Sequence, residues 1–543
     1  MLVLIGIPMF FIEISAGQFT GHGPMYAYEA SPIFQGVGVG MVIMTFISNI
    51  YYNMIIGWSL YYMFASWQKV LPWYDCSNDF NTDKCYSKRQ AEGFAEWLDE
   101  MVSKRESPSE EYFDLVVLDR SDTLTDSGYV KWDITLCFLL AWVMCFFCVI
   151  KGIKSSGKVV YFTATFPYLI LIILLVKGLL LDGAKQGIDF YIIPDWSKLK
   201  TPKVWVDAAG QIFFSLSVGL GGLMSFASYN KFKNNVYRDT LIVSIGNCMT
   251  SFVSGFTIFA IIGHLAKVLG RDVDKVAKSG SGLAFVVYPE VVTYLDPPQL
   301  WATLFFFMLI MLGLDSQFAG IENCMTAMVD VFPKLRPYKT WVAFFNCFVS
   351  FFLGLTMCTQ AGAYWLDLMG YYSSGLSLVI IGLCEVIVFA WVYGARNIKA
   401  DIELMCGFQI EWHWWFCWSF VSPAVMIVIL IFNCIDFTPL SYGDYVLPDW
   451  SQGLGWCMAL VSMLAIPICA VLKFIASFSN PAFDGLGTLE RLRKLTQPSP
   501  MWTARKNRET GSTDDDVSPP AAIQAYSNPA FEKPAPDTCD TVL

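Results

Sequence analysis

The sequence predicts an all-α integral membrane protein, and its composition is the first reason. Of the 543 residues, 55% are hydrophobic and only 15% are charged, whereas roughly 25% of residues are charged in a typical soluble domain. So many apolar residues cannot fill one soluble core, because such cores stop growing near ~250–300 residues. The net charge of −10 also gives no electrostatic support for a nucleic-acid partner.

The second reason is a series of long apolar stretches. A helix needs about 20 apolar residues to cross ~30 Å of hydrocarbon, and about eleven stretches approach that length. Glycines interrupt the fifth. The first lacks a basic segment and carries Glu13 inside its apolar run, which argues against a signal peptide. The predicted spans are 1–16, 35–64, 133–151, 158–182, 207–233, 239–268, 298–332, 338–357, 373–394, 413–434 and 453–477.

Charges between the spans predict the orientation. Lysine and arginine cluster after the third, fifth, seventh and ninth spans, and the positive-inside rule places those loops in the cytoplasm. The opposing loops 358–372 and 435–452 contain neither residue, although loop 183–206 carries four lysines. Loop 67–131 is then extracellular, where Cys76 and Cys85 are expected to form a disulfide because the compartment is oxidising.

Two regions follow from these patterns. A transmembrane domain covers 1–477, with loop 67–131 included. The polar segment 478–543 contains several prolines and acidic residues, so we predict a disordered cytoplasmic tail. The final Thr541, Val542 and Leu543 fit a short motif that adds a strand to a PDZ domain, which makes a PDZ-domain protein a candidate partner.

Histidines and cysteines give no sign of a catalytic or metal centre. The three histidines are scattered, and most of the 16 cysteines lie inside apolar runs, where cysteine behaves as a small hydrophobic residue. Neither zinc-ligand spacing nor a catalytic Cys/His grouping is visible. We therefore do not expect an enzyme.

The fifth span combines polar and glycine residues in an unusual way. Gly219, Gly221 and Gly222 lie in mid-span beside Ser215 and Ser217. Glycines weaken the helix, and an unwound turn at membrane depth is tolerated only where it lines a cavity or binds something. Secondary transporters use such broken helices to bind ions and solutes. The alternative is close helix packing through small residues, and the spacing alone leaves both open.

Asp315 is the most informative intramembrane charge. It lies deep in the seventh span without a basic residue in the same helix, so it needs a proton, a partner or a cation. Leu312, Asp315 and Ser316 share one helical face, and their carbonyl, carboxylate and hydroxyl oxygens suit Na⁺. We expect Glu13 to be protonated and to hydrogen-bond exposed backbone, while the role of Glu385 stays open.

Several separate motifs resemble those of the neurotransmitter:sodium symporter family (solute carrier family 6), over the whole chain up to the tail. They are GIPMFFIE…GQFT, SNIYYN, ASYNKFKNNVYRD, NCMTSFVSGF, LGLDSQFAGIE and WVYGARN. The resemblance implies a bundle of twelve helices, the first ten arranged as two inverted repeats, of which about eleven are present here. It also implies uptake of amino acids or amines across the plasma membrane, coupled to Na⁺ and usually Cl⁻, by alternating access.

The resemblance also implies a set of site residues. The sodium ligands are Leu312, Asp315 and Ser316 at one site, with Ser215 and Asn247 at the other. The chloride ligands are Gln211, Ser215, Asn247 and Ser251. The substrate-binding residues are Tyr52, Phe213, Phe214, Ser215, Ser217, Leu220, Ser316, Gln317 and Gly320. The gates comprise Tyr52 and Phe214, which close over the substrate, and Tyr229 and Asp330 on the cytoplasmic side.

Three departures from the family pattern matter. Met1 aligns inside the family's second helix, so the first helix is expected to be absent. Ligands of both sodium sites, a chloride-site tyrosine and the gate arginines would be absent with it. Position 370 is glycine, where the family often has an acidic residue of the outer gate. Neither gate is then expected to form its full ion pair.

The substrate is predicted from local similarity. The runs KFKNN, VAKSG, LAFVVYPE and LGLDSQFAG look most like the branch that carries glycine and neutral or cationic amino acids. Leu220 stands where glycine carriers tend to have a bulky aromatic residue, which favours a neutral amino acid larger than glycine. Two alternatives remain: a monoamine or GABA carrier, and a truncated regulatory isoform that does not transport but associates with full-length chains.

Overall fold

A computed structural model describes residues 1–85, 106–150, 153–270, 272–276, 283–435, 439–442 and 445–510. The helices of the bundle and of the segment after it are, in chain order, α1 (Leu2–Thr20), α2 (Pro32–Ala65), α3 (Trp132–Val149), α4 (Ile153–Leu179), α5 (Pro202–Leu216), α6 (Gly222–Ala227), α7 (Val236–Leu269), α8 (Pro298–Val331), α9 (Pro333–Cys358), α10 (Gly362–Val392), α11 (Ala395–Cys406), α12 (Trp412–Ile435), α13 (Asp449–Ala476), α14 (Thr488–Leu495) and α15 (Pro500–Thr510). The connections hold further helices of four to nine residues at Pro24–Ala27, Pro108–Glu111, Ala184–Ile192, Trp196–Lys200, Val273–Val276 and Tyr288–Val292.

Ten of these helices are long and apolar enough to cross a membrane. They coincide with ten of the eleven predicted spans, so the all-α membrane architecture is confirmed. The fifth predicted span is the exception, because it consists of the two short helices α5 and α6 separated by a break. The described chain also contains a short antiparallel hairpin that the sequence did not predict, formed by β1 (Ser441–Tyr442) and β2 (Tyr445–Val446).

The bundle has two main hydrophobic clusters. One joins α2, α3 and α8, with Trp58 and Tyr62 almost fully buried. The other joins α1, α5, α10 and α12, with Phe11 and Trp418 fully buried. Close backbone contact places α1 against α6, because a Cβ added at Gly17 would lie 2.2 Å from the Met224 carbonyl oxygen. The broken helix is therefore held directly against α1.

The predicted extracellular loop is tied down at two places. Cys76 and Cys85 form the expected disulfide. Further along, Arg120 pairs with Asp114 at 3.2 Å, and its guanidinium lies 4.9 Å from the ring centroid of Tyr442 in β1. The loop thus packs against the β1–β2 hairpin at the same end of the bundle.

The segment after α13 does not fit the predicted disorder. Residues 478–510 contain α14 and α15, and Trp502 of α15 is completely buried. Arg505 donates hydrogen bonds of 2.6 Å to the carbonyl oxygens of Gln18 and Asn230. The prediction of disorder is therefore wrong for 478–510, because a polar composition hid a few apolar and basic anchors. Residues 511–543, with the proposed PDZ motif, lie outside the described part of the chain.

A series of hydrogen bonds extends this contact from α15 to α11. The Trp502 indole donates a 2.9 Å hydrogen bond to the Tyr393 hydroxyl oxygen, and that hydroxyl donates to Asp401. Burial raises the pKa of Asp401 to about 6, so the carboxylate remains mainly ionised at neutral pH and can accept this bond. We call this contact, in which Trp502 binds Tyr393 and Arg505 binds Gln18 and Asn230, the C-terminal clamp.

Candidate ion and substrate site

The break between α5 and α6 is an unwound turn. Ser217, Gly219 and Gly221 have φ angles of 55°, 82° and 77°, all in the left-handed region that glycine adopts without steric cost. These angles end the helical hydrogen-bond pattern and free backbone groups in the middle of the bundle. Between the two interpretations left open by the sequence, the structure therefore favours an unwound turn.

Neighbouring helices hold this turn through polar side chains. The Gly219 N–H donates a 2.5 Å hydrogen bond to Glu13 of α1. The Leu220 carbonyl accepts from Thr45 of α2 at 2.7 Å and from Asn323 of α8 at 2.9 Å. The expected hydrogen bond between Glu13 and exposed backbone is confirmed. The turn is thus fixed from three sides by polar side chains of α1, α2 and α8.

Glu385 of α10 is a second buried acid near Glu13. It is fully buried and interacts electrostatically with Glu13. Neither of its carboxyl oxygens has a hydrogen-bond partner among the described residues. Its role, left open by the sequence, is not defined by these contacts.

Asp315 lies on an exposed strip of α8. The Thr163 hydroxyl of α4 donates to its carboxylate, and no ion pair to it occurs in the part of the chain that the structure describes. Leu312 is 45% exposed and Ser316 is also exposed. The Tyr52 phenol lies beside Ser316. The three predicted ligands of one sodium site therefore share an accessible face next to a predicted gate residue.

The predicted chloride ligands lie on two facing helices. Asn247 of α7 donates a 2.6 Å hydrogen bond to the Ser215 hydroxyl of α5. Gln211 precedes Ser215 by one turn and Ser251 follows Asn247 by one turn, so each lies on the same helical face as its neighbour. Both of these outer residues are exposed. The structure brings one pair into contact and leaves the other pair accessible.

The predicted substrate residues divide into two groups. Phe214 is 52% exposed, and Ser217 is exposed beside it on the turn. Phe213 is only 2% exposed and packs against Gly382 of α10. The structure thus places Phe214 and Ser217 on an accessible surface and Phe213 between helices.

Two predicted residues on α8 also belong to helix packing. Gln317 is 1% exposed and donates a 3.1 Å hydrogen bond to the Asn49 carbonyl of α2. A Cβ added at Gly320 would lie 1.9 Å from the Asn49 side-chain oxygen, so a larger residue here would force the Asn49 side chain to move. Both residues fix the approach of α2 to α8 beside the exposed strip.

A cavity of about 270 Å³ lies at the predicted cytoplasmic end of α8. It contains the two residues predicted for the cytoplasmic gate. Asp330 accepts a hydrogen bond from the Gly23 N–H at 3.0 Å, and the Tyr229 hydroxyl donates to Glu322 at 3.3 Å. Sequence reasoning missed Glu322 and the cavity residue His22, whose ring nitrogen lies 3.9 Å from Asp330. A signal was present, because Glu322 is the last residue of the LGLDSQFAGIE motif.

A membrane bundle with one helix broken in mid-membrane, beside an intramembrane carboxylate, has the architecture of a secondary transporter. The model of the Sodium:neurotransmitter symporter family matches residues 1–477. The chain belongs to this family, as the sequence motifs predicted. It is a multi-pass plasma-membrane transporter and not an enzyme.

Known relatives support the assignment over nearly the full chain. The human sodium- and chloride-dependent neutral and basic amino acid transporter B(0+) is 42% identical, over 96% of this chain and 85% of the relative. The sodium- and chloride-dependent glycine transporter 1 of Xenopus laevis is 44% identical, over 94% of this chain and 82% of the relative. The dog taurine transporter, also sodium- and chloride-dependent, is 43% identical, over 86% of this chain and 76% of the relative.

Proposed function

We propose that this chain is a Na⁺- and Cl⁻-coupled symporter that takes up a neutral amino acid by alternating access. The observation that carries the proposal is the unwound turn between α5 and α6, which is held by α1, α2 and α8. The same helix α8 carries the accessible carboxylate of Asp315. The family is one of sodium symporters. Relatives named as sodium- and chloride-dependent carriers of glycine, taurine and neutral or basic amino acids support the ions and the substrate class.

Asp315 is the proposed Na⁺ ligand that drives uptake. Its carboxylate has no cationic partner among the described residues, and the Thr163 hydroxyl orients it. The carbonyl of Leu312 and the hydroxyl of Ser316 supply further hard oxygen ligands. A bound Na⁺ neutralises the carboxylate, and each charge that moves inward gains about 2.3 kcal/mol per 100 mV of membrane potential.

Ser215 and Asn247 form the proposed centre of the chloride site. Hydroxyl and amide groups can donate hydrogen bonds to an anion without a formal positive charge. Their mutual hydrogen bond of 2.6 Å keeps both groups at one place, and Gln211 and Ser251 extend the same two faces. Ser215 and Asn247 also belong to the other proposed sodium site, so the two ions would share both ligands.

The unwound turn is the proposed seat of the amino-acid backbone. Backbone N–H and C=O groups outside the regular helical pattern suit the carboxylate and the ammonium group of a zwitterion. Phe214 and Tyr52 provide aromatic surfaces that can close over it. Leu220 would contact the substrate side chain. The turn itself is defined by the hydrogen bonds to the Leu220 carbonyl, which are independent of that side chain.

Uptake of radiolabelled neutral amino acid should fall at least tenfold when choline replaces Na⁺, and should also fall when gluconate replaces Cl⁻. The reason is that a symporter cannot complete its cycle without the ion that occupies its carboxylate. The measurement uses cells that express the chain and matched cells that do not. Uptake that persists undiminished in choline would reject the Na⁺ assignment.

A substrate panel separates the alternatives. We expect competition by neutral amino acids and little by GABA or dopamine. Competition by GABA or dopamine alone would favour the hypothesis of a monoamine or GABA carrier. If surface biotinylation shows the protein at the plasma membrane and none of these compounds is taken up, the result favours the hypothesis of a regulatory isoform that does not transport.

Leu220→Trp should narrow selectivity toward glycine. The larger ring removes space for the substrate side chain, and a single extra methylene group in an apolar pocket already changes selectivity by about 10- to 200-fold. The ratio of glycine uptake to leucine uptake measures the change. Leu220→Met conserves volume and serves as the control, and an unchanged ratio in Leu220→Trp would exclude Leu220 from the substrate pocket.

A further inference from the structure

A cavity of about 420 Å³ opens beside α11, on the side of the bundle that the loop charges place in the cytoplasm. Its lining residues are Arg396, Lys399, Ala400, Glu403, Trp412 and Trp415. The membrane helix α10 ends at Val392 and the membrane helix α12 begins at Trp412. The cavity therefore lies at the boundary between the membrane-spanning bundle and the cytoplasm.

The α11 helix provides a rigid wall. Its residues Ile398, Ile402 and Met405 are at most 2% exposed and belong to the hydrophobic cluster around α1. Arg396 projects from the opposite, exposed side of the same helix. The apolar face fixes the helix to the bundle, so the basic side of the cavity keeps its place without a ligand.

The cavity has a net charge of one positive unit, because Arg396 and Lys399 are cationic and Glu403 is a carboxylate. Lys399 lies 3.1 Å from Glu403, which also accepts a 3.0 Å hydrogen bond from the Ile410 N–H. These contacts hold Lys399 in the wall. The Arg396 guanidinium has neither an ion pair nor a hydrogen bond within the described residues, and it is therefore available to an anion.

An aromatic stripe leads from the cavity along α12. Trp412, Phe416 and Phe420 are spaced four residues apart and are 71%, 44% and 55% exposed. Their rings follow one another at centroid distances of 6.2 Å and 5.6 Å. Tryptophan is enriched at the membrane interface, and the phenylalanines continue on the lipid-facing side. The stripe thus joins a cationic cavity to the hydrocarbon region.

We propose that this cavity binds the headgroup of an anionic phospholipid of the cytoplasmic leaflet. Its phosphate contacts Arg396 and Lys399, since guanidinium groups bind phosphate oxygens in a bidentate manner. Its acyl chain lies along the aromatic stripe of Trp412, Phe416 and Phe420. A free phosphate has the same headgroup chemistry but no acyl chain to contact the aromatic stripe. A phospholipid therefore accounts for both the cationic cavity and the stripe. This binding does not depend on the transport activity proposed above.

Binding can be measured on the purified full chain in detergent, titrated with phosphatidylserine and analysed by native mass spectrometry. Each basic side chain near an anionic headgroup contributes roughly fivefold to affinity, so Arg396→Ala with Lys399→Ala should weaken binding by about 30-fold. Lys233→Ala with Arg238→Ala removes two cations from another exposed cytoplasmic position, just before α7 and in its first turn, and should leave affinity unchanged.

Three results would overturn the proposal. The first is that the Arg396/Lys399 double variant binds phosphatidylserine with the same affinity as the parent. The second is that the parent binds phosphatidylcholine as tightly as phosphatidylserine. The third is that millimolar inorganic phosphate displaces the lipid completely, which would indicate a free-anion site. If the double variant fails to elute as a folded protein, the single change Arg396→Gln is used. It should weaken phosphatidylserine binding roughly fivefold, and no weakening would reject the site.

Discussion

Asp315→Asn should abolish Na⁺-dependent uptake while the protein still reaches the cell surface. Asparagine keeps the shape of the side chain and can still pair with the Thr163 hydroxyl, but it removes the negative charge of the proposed Na⁺ ligand. An ion pair at about 4 Å near a protein surface gains up to about 4 kcal/mol, so apparent Na⁺ affinity should fall by at least about 10-fold. Uptake against Na⁺ concentration, corrected for surface biotinylation, measures the loss.

Two comparisons make this test specific. Asp189→Asn removes a carboxylate from a loop helix outside the proposed site and should leave Na⁺ dependence unchanged. Thr163→Val should weaken Na⁺ activation without abolishing it, because it removes only the hydrogen bond that orients Asp315. Normal Na⁺ activation in Asp315→Asn would show that the driving ion binds elsewhere.

Trp502→Ala should destabilise the whole protein, although the residue lies in a segment that reads as a polar tail. The indole is completely buried against Phe19 and Phe389 and donates to the Tyr393 hydroxyl. Replacing a buried tryptophan with alanine costs about 3–5 kcal/mol. We expect a lower thermal unfolding temperature of the detergent-solubilised protein and less protein at the cell surface.

The neighbouring helix α14 offers a matched control. Leu489 is 80% exposed, so Leu489→Ala removes apolar atoms from the same segment without opening a cavity and should leave stability unchanged. Arg505→Ala should be intermediate, since it removes the two hydrogen bonds to Gln18 and Asn230 and leaves the buried indole in place. Unchanged stability in Trp502→Ala would show that the C-terminal clamp contributes nothing to the fold.

Most of the bundle could be predicted from the sequence because membrane helices obey a simple length rule. Ten spans appear where apolar runs approach 20 residues, and the loop charges between them predict their orientation. The broken helix was visible as glycines at 219, 221 and 222 in an apolar span. The carboxylate at Asp315 was equally visible, because an intramembrane charge is rare enough to mark a site.

The sequence by itself therefore determined the fold class, the family, the position of the break and the identity of the intramembrane acid. Each of these depends on composition, or on residue spacing within separate stretches of chain, and none requires knowing which distant residues meet. The tertiary structure decided which residues meet: Glu13 with the turn, Thr163 with Asp315, and Asn247 with Ser215. It also decided that residues 478–510 fold back onto α1 and α11, and that Gln317 and Phe213 support the site from between helices. Such contacts join residues far apart in the chain, and local pattern carries no information about which distant surface a side chain will reach.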